Sequence, residues 1–135
     1  MSDTPAPQSD ESTNANGTDL ESLVGEWLTV PDVAERYSLP LTHVRRWIQD
    51  RELLGVRLGE RHVLKVPARF LGEDGPLPEL RGTFTVLNDG GMGDEEALRW
   101  LFTPDATLPA PGAPVDSLIA GFKTEVRRRA MEVAF

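Results

Sequence analysis

Apolar and polar residues alternate with helical spacing in two neighbouring stretches near the start of the chain. In the first, apolar residues recur at intervals of three and four, which predicts one buried helix face: Val30, Val33, Ala34 and Tyr37. Thr29 and Asp32 form a capping-box pattern with Asp in place of Glu, and Pro31 falls in the first turn, where its missing N–H is harmless. A helix therefore begins beside Thr29.

A second helix is predicted after the turn Ser38-Leu39-Pro40, running to about Arg51. Its inner face is predicted to be apolar and consists of Leu41, Val44, Trp47 and Ile48. Its outer face is polar and consists of Thr42, Arg45, Arg46 and Gln49. Two short helices joined by a turn of this length are typical of a helix-turn-helix unit.

Two short runs of strand-forming residues follow the helices. Residues 55–58 and 62–66 flank Gly59-Glu60-Arg61, which predicts a β-hairpin with basic residues near its tip. A hairpin in this position is a wing. A short helix over residues 67–71 and a loop over residues 72–78 are expected next.

The rest of the chain is predicted to be helical. One helix runs from Pro78 to Asn88 and ends at Gly90-Gly91, and a second, capped by Asp94, runs to Phe102. After a Pro-rich loop, a single C-terminal helix is predicted, with Arg127, Arg128 and Arg129 towards its C-terminal end. It is marked by regularly spaced apolar residues: Val115, Leu118, Ile119, Phe122, Val126 and Val133. Trp27, Trp47 and Trp100 are interpreted as core residues.

The first 18 residues are polar and cannot offset the entropy of their own ordering. We therefore predict a mainly α fold with a small β-hairpin: a winged helix-turn-helix followed by a packed helical C-terminal region. The expected organisation is a disordered acidic tail (1–18), a winged helix-turn-helix domain (19–72) and a helical C-terminal region packed on it (73–135).

The net charge of -8 argues against nucleic-acid binding until its distribution is examined. Residues 1–26 carry six acids and no Lys or Arg, a net -6. Residues 27–72 carry eight Lys or Arg against five acids, a net +3, and residues 73–135 carry six against eleven, a net -5. One basic segment within an acidic protein indicates a single nucleic-acid-binding face.

Several classes of function are excluded. The absence of Cys excludes disulfides, zinc-thiolate sites and thiol catalysis. Neither a charged start followed by an apolar run, as in a signal peptide, nor an apolar run long enough to span a membrane appears in the sequence, so a cytoplasmic protein without a membrane partner is expected. His43 and His62 have neither metal-ligand spacing nor a nucleophile beside them. We therefore expect no metal, no cofactor and no enzymatic activity.

The candidate DNA-binding residues lie on the second helix and on the wing. The first group is Thr42, His43, Arg45, Arg46 and Gln49, and the second is Arg57, Arg61, His62 and Lys65. On the second helix of such a motif, Arg45 and Gln49 are placed to read base edges and Arg46 to bind phosphate. The alternative interpretation of both groups is ordinary solvated charge on a helix and a hairpin.

Two stretches of the chain resemble the MerR and excisionase type of winged helix-turn-helix. They are residues 28–36 (Leu28-Thr29-Val30-Pro31-Asp32-Val33-Ala34-Glu35-Arg36) and residues 44–48 (Val44-Arg45-Arg46-Trp47-Ile48). Residues 88–91, 98–105 and 114–116 resemble the C-terminal region of a small actinobacterial family of such DNA-binding proteins, one of which is known from mycobacteria. The resemblance implies that a helical region packs on the winged motif and that the protein binds double-stranded DNA. Two departures from the pattern are Ser38, at a usual turn Gly, and Pro40, at a usual Ser cap.

The leading hypothesis is a duplex DNA-binding protein acting as a transcriptional regulator or an accessory nucleoid factor, as a monomer or weak homodimer. The alternative is an adaptor that uses the helix-turn-helix fold to bind protein. We also expect that a Ser/Thr kinase could phosphorylate the tail, which would add negative charge. The exposed acceptors are Thr4, Ser9, Ser12, Thr13 and Thr18.

Overall fold

The computed structural model describes residues 20–134. A helical turn at residues 20–24 precedes these elements: β1 (Trp27–Thr29), α1 (Val30–Tyr37), α2 (Leu41–Gln49), β2 (Val56–Leu58), β3 (Val63–Pro67), a 3₁₀ turn (Ala68–Phe70), α3 (Leu80–Asp89), α4 (Asp94–Phe102), α5 (Pro114–Ile119) and α6 (Lys123–Ala134). The predicted disordered tail and its phosphorylation candidates lie outside the described residues. None of the described helices has the length and apolar character needed to cross a membrane.

The start of α1 is fixed by the capping box that the sequence predicts. The Thr29 hydroxyl accepts a hydrogen bond from the Asp32 backbone N–H at 3.2 Å, and the Asp32 carboxylate accepts one from the Thr29 N–H at 3.1 Å. Hydrogen bonding of the Asp32 carboxylate to the Thr29 backbone N–H, and next to the Thr29 side chain, holds the pKa of the Asp32 carboxyl below its usual value. Two donors that would otherwise lack a partner at the helix end are thereby satisfied.

The turn between α1 and α2 contains both departures from the related pattern, and its backbone is strained at the first of them. Ser38 adopts the left-handed conformation, with φ 56° and ψ 48°, which a side chain with a Cβ disfavours. Pro40 precedes α2 in extended backbone and supplies no side-chain cap. The turn therefore forms without the two features that usually stabilise it.

The predicted inner face of α2 is correct in the middle of the helix and wrong at its beginning. Val44 is fully buried, and Trp47 and Ile48 are half-buried against the core. Leu41, however, is 40% exposed. Helical side chains point towards the N-terminus, so the side chain of the first residue extends past the end of α2 rather than over the core.

The wing is a three-stranded antiparallel sheet of order β1-β3-β2, larger than the predicted hairpin. β1, which the sequence does not reveal, pairs with β3 so that Leu28 lies opposite Val66. The hairpin itself is confirmed, with each strand shifted by one residue from its predicted start. Its turn spans residues 59–62, with Gly59 and His62 in left-handed conformations.

Two predictions about the C-terminal region are wrong in detail. Asp94 does not cap α4: it is the first helical residue, Gly93 is the N-cap, and the Asp94 carboxylate instead pairs with Arg51. The predicted single C-terminal helix is two helices, α5 and α6, separated at Gly121, whose φ of +100° is incompatible with a continuous helix.

The break between α5 and α6 changes which side chains are covered. Three residues of the predicted buried face are exposed: Ile119, Phe122 and Val133. The arginines at 127–129 lie in the middle of α6 rather than towards its C-terminal end. Val115, Leu118 and Val126 are buried as predicted.

The core joins the wing to the C-terminal helices. Phe70, fully buried in the 3₁₀ turn after β3, lies with its ring centroid 5.6 Å from that of Phe84 in α3 and 5.5 Å from that of Phe102 in α4. The three tryptophans predicted as core residues are half-buried at its margin. The core is thus built on phenylalanines and aliphatic side chains.

Candidate nucleic-acid interface

The outer face of α2 carries four exposed polar side chains: Thr42, Arg45, Arg46 and Gln49. With about 100° of rotation per residue, they occupy roughly 100° of the helix surface on the side away from Val44. The complete burial of Val44 in the core therefore determines which side chains of α2 face outwards. We call these four residues the α2 stripe.

His43 lies at the edge of the α2 stripe rather than within it. Its imidazole meets the indole of Trp47 edge-on, with ring centroids 5.1 Å apart and an interplanar angle of 84°. The indole is in turn met edge-on by Tyr37 of α1, with centroids 5.7 Å apart. His43 is thus exposed but supported by an aromatic contact that continues into α1.

The arginines of the α2 stripe have no internal acceptor in the described part of the chain. Within residues 20–133, neither an ion pair nor a hydrogen bond engages the side chains of Arg45, Arg46 and Arg61. Other arginines are neutralised, since Arg51 pairs with Asp94 at 2.8 Å and Arg69 with Asp116 at 2.6 Å. The positive charge of the α2 stripe and the wing tip is therefore available to an external anion.

The structure divides the wing candidates into two groups. Arg57, Arg61 and His62 lie at or beside the turn, where the Arg57 guanidinium donates a hydrogen bond to the His62 carbonyl at 3.1 Å. Lys65 is half-buried in the central strand, opposite Val56 and Thr29, whereas Arg57 is opposite Leu64. Because side chains alternate across a strand, Lys65 and Arg57 lie on opposite faces of the sheet.

Lys65 belongs with the start of α1. It lies beside the capping box, and its charge contributes, after the hydrogen bonds from Thr29, to the lowered pKa of Asp32. The single wing surface implied by the sequence is therefore two surfaces: a tip with three residues, and Lys65 near the helix start.

The other side of α2 is acidic. Half-buried Trp47 lines a groove with the carboxylates of Glu52, Glu73 and Asp74. Cations on one side of the helix and carboxylates on the other give the motif an electrostatic polarity. Within the described residues, no three His, Cys, Asp or Glu side chains are grouped so as to hold a metal ion.

Sequence reasoning missed the interactions of Arg51, which lies two residues beyond the end of α2. Its guanidinium bonds to Asp94, 43 residues away, and to Asn88. Helical spacing and capping rules are local, so no signal in the sequence could have identified this contact.

Comparisons with known proteins give consistent matches over nearly all of the described chain. Residues 19–71 match the family model "DNA-binding protein Rv2175c, wHTH domain", and residues 77–134 match "Rv2175c C-terminal domain of unknown function". The DNA-binding protein Rv2175c of Mycobacterium tuberculosis (strain ATCC 25618 / H37Rv) is 35% identical over 117 residues, which cover 78% of this chain and 79% of that protein. The NMR structure of Rv2175c superposes with a TM-score of 0.71 at 30% identity, covering 82% of each chain.

Proposed function

This chain belongs to the Rv2175c family of winged helix-turn-helix proteins, and we propose that it binds duplex DNA through α2 and the wing. Family membership confirms the resemblance seen in residues 28–135 and the predicted fold class. The observation that carries the proposal is the α2 stripe, whose arginines have no acceptor among the described residues.

In this proposal, the α2 stripe enters the major groove. Arg45 donates two hydrogen bonds to a guanine edge and Gln49 pairs with an adenine. Arg46 binds a backbone phosphate, and Thr42 meets a phosphate or a thymine methyl group. His43, held at the edge of the stripe by Trp47, contacts the sugar-phosphate backbone alongside.

The wing supplies contacts that do not depend on base sequence. The turn residues Arg57, Arg61 and His62 contact the backbone or the minor groove beside the site that α2 reads. Lys65, on the opposite face of the sheet, binds a phosphate near the start of α1. The acidic groove beneath Trp47 repels DNA and restricts docking to the cationic side.

The biological role that we propose is transcriptional regulation or accessory nucleoid binding. The adaptor alternative is distinguished by salt. Binding through several phosphates weakens steeply as the salt concentration rises, because condensed counterions are released, whereas an apolar protein interface responds little.

We also propose that the acidic tail acts as an electrostatic brake on DNA binding. The tail, residues 1–18, carries three of the six acids within residues 1–26, and the basic segment, residues 27–72, has a surplus of only three positive charges. Phosphorylation by a Ser/Thr kinase at Thr4, Ser9, Ser12, Thr13 or Thr18 would strengthen the brake by about -1.5 to -2 charges each. Matched salt titrations of the full chain, a chain lacking residues 1–18 and the phosphorylated chain would test this, and three coincident curves would leave the tail without a regulatory role.

Chemical-shift mapping during titration with duplex DNA tests the main proposal. We expect the largest shifts in α2 and at Arg61, with little change in α6, and a binding constant that falls steeply between low and moderate salt. Absence of shifts with any duplex, or shifts confined to α5 and α6, would refute it.

A further inference from the structure

Arg51 anchors the end of α2 to the C-terminal helices. It lies two residues beyond Gln49 and has a left-handed backbone, with φ 65°. Its two terminal nitrogens bind the Asp94 carboxylate as a fork, at 2.8 and 3.3 Å, and one of them also donates to the Asn88 amide oxygen. A bidentate pair of this kind fixes direction as well as distance.

The two acceptors lie on either side of the turn between α3 and α4. Asn88 is in the last turn of α3 and Asp94 is the first residue of α4. The Asn88 amide also donates a hydrogen bond to the Met92 carbonyl at 2.7 Å, which closes the turn on itself. The Arg51 side chain is therefore held by a turn that is stabilised by hydrogen bonds of its own. We call Arg51, Asn88 and Asp94 the anchor.

A second link connects the wing to the same region. Arg69, in the 3₁₀ turn after β3, pairs with Asp116 of α5 at 2.6 Å. Asp116 also accepts a hydrogen bond from the Ala113 N–H at 2.7 Å, which holds the carboxylate at the start of α5. The C-terminal region thus contacts the winged motif at two points, which follow the two proposed DNA-contacting elements. Arg51 makes the contact after α2, and Arg69 makes the contact after the wing.

The anchor is too exposed to act mainly through stability. The Arg51 and Asp94 side chains are 38% and 43% exposed, and ion pairs in such positions add little to the free energy of unfolding. The fork instead fixes the position of the last turn of α2. The orientation of Gln49, and of the end of the α2 stripe, depends on that position. Orientation, rather than stability, is the property that the geometry supports.

We propose that the C-terminal region positions the DNA-reading helix through this anchor, with Asp94 and Asn88 as positioning residues. The inference rests on the proposed function. Its distinctive consequence is that affinity for duplex DNA depends on Asp94, an acid that does not touch the DNA.

One substitution distinguishes the positioning role from bulk electrostatics, because the two predict opposite changes in the affinity for DNA. Asp94→Asn removes a negative charge, so electrostatics alone predicts tighter binding to a polyanion. Loss of the anchor predicts weaker binding. Asp89→Asn is the matched control, because Asp89 is exposed and adjacent to Asn88, and its side chain makes no hydrogen bond or ion pair within the described residues.

The experiment uses the full chain and one duplex, at two salt concentrations, with hydrogen exchange of the free proteins as a second readout. We expect Asp94→Asn to bind about two- to tenfold more weakly, and Asp89→Asn to bind as tightly as wild type or more tightly. In the free protein, the backbone amides of residues 46–53 should exchange faster in Asp94→Asn alone. The double variant Arg51→Asp with Asp94→Arg keeps the net charge and should recover much of the affinity.

The outcomes distinguish the two proposals. A wild-type chain that binds no duplex overturns the proposed function. Wild-type binding together with unchanged exchange and equal or tighter binding in Asp94→Asn overturns the positioning role alone.

Discussion

The indole of Trp47 is met edge-on from two sides, by His43 of its own helix and by Tyr37 of α1, at centroid distances of 5.1 and 5.7 Å. The Tyr37 hydroxyl in turn donates a hydrogen bond to the Gly72 carbonyl at 2.6 Å. A half-buried tryptophan thereby links both helices of the motif to the loop beyond the wing.

Replacement of Trp47 by Ala should destabilise the protein by about 2–3 kcal/mol, from lost apolar area and lost ring contacts. This is below the roughly 3–5 kcal/mol typical of a fully buried tryptophan. Urea unfolding measures the cost, and the imidazole proton shifts of His43 should lose their ring-current contribution. Trp47→Phe is the control that retains an aromatic contact. An unchanged unfolding midpoint in Trp47→Ala would contradict the packing described.

Arg45→Ala and Lys65→Ala should weaken DNA binding in different ways. Loss of Arg45 should cost about 1–3 kcal/mol and relax preference at one base pair, because a base-reading fork is removed. Loss of Lys65 should weaken all duplexes alike and flatten the salt slope by about one unit. Competition titrations with single-base variants of the best duplex make the distinction.

Arg128→Ala provides the control for these two variants, since Arg128 is exposed on α6 and pairs with Glu125. It removes the same charge far along the chain from α2. If Arg45→Ala and Arg128→Ala bound the best duplex equally well, α2 could not be the reading helix.

Ser38→Gly should stabilise the protein by about 0.5–1 kcal/mol, because Gly adopts the left-handed backbone of this position without a Cβ clash. The gain is limited by the greater freedom that Gly gives the unfolded chain. Thermal unfolding would measure it. In Glu35→Gly, at an exposed position inside α1, the same replacement should cost about 1 kcal/mol, and stabilisation of both variants would rule out backbone strain as the cause.

The stabilising effect of Asp32 should disappear in acid. The folded state lowers the pKa of this carboxyl through its bonds to Thr29, so the stabilisation is fully present above the unfolded pKa, near 3.9. It is lost as the pH falls through the lower folded value. The difference in unfolding midpoint between wild type and Asp32→Ala should therefore be constant from pH 7 to 5 and shrink towards pH 2, and a difference independent of pH would contradict the capping role.

The parts of the fold that could be predicted are those encoded by neighbouring residues. Thr29 and Asp32 predict the start of α1 because the capping box spans only three residues. β1 could not be predicted, because three residues show no alternation and their pairing with β3 depends on residues about 38 positions away. The break at Gly121 was missed because apolar spacing continues across it, although the backbone does not.

The candidate site was predictable as a set of residues but not as an arrangement. Helical phase identifies the α2 stripe once Val44 is taken as buried. It does not reveal that Arg45 and Arg46 lack acceptors in the described chain while Arg51 has two, because the acceptors of Arg51, a carboxylate and an amide, come from far along the sequence. Nor does it separate Lys65 from the wing tip, which follows from strand register.

Phe70 belongs to the segment matched by the winged-motif model, yet its ring packs against Phe84 and Phe102 of the other matched segment. A chimera that joined residues 19–71 of one relative to residues 77–134 of another would have to bring together three aromatic positions selected in different backgrounds. Recombination between the two segments is therefore costly, and they should be inherited as a pair. Among relatives, substitutions at positions 70, 84 and 102 should covary, with a smaller side chain at one offset by a larger one at another.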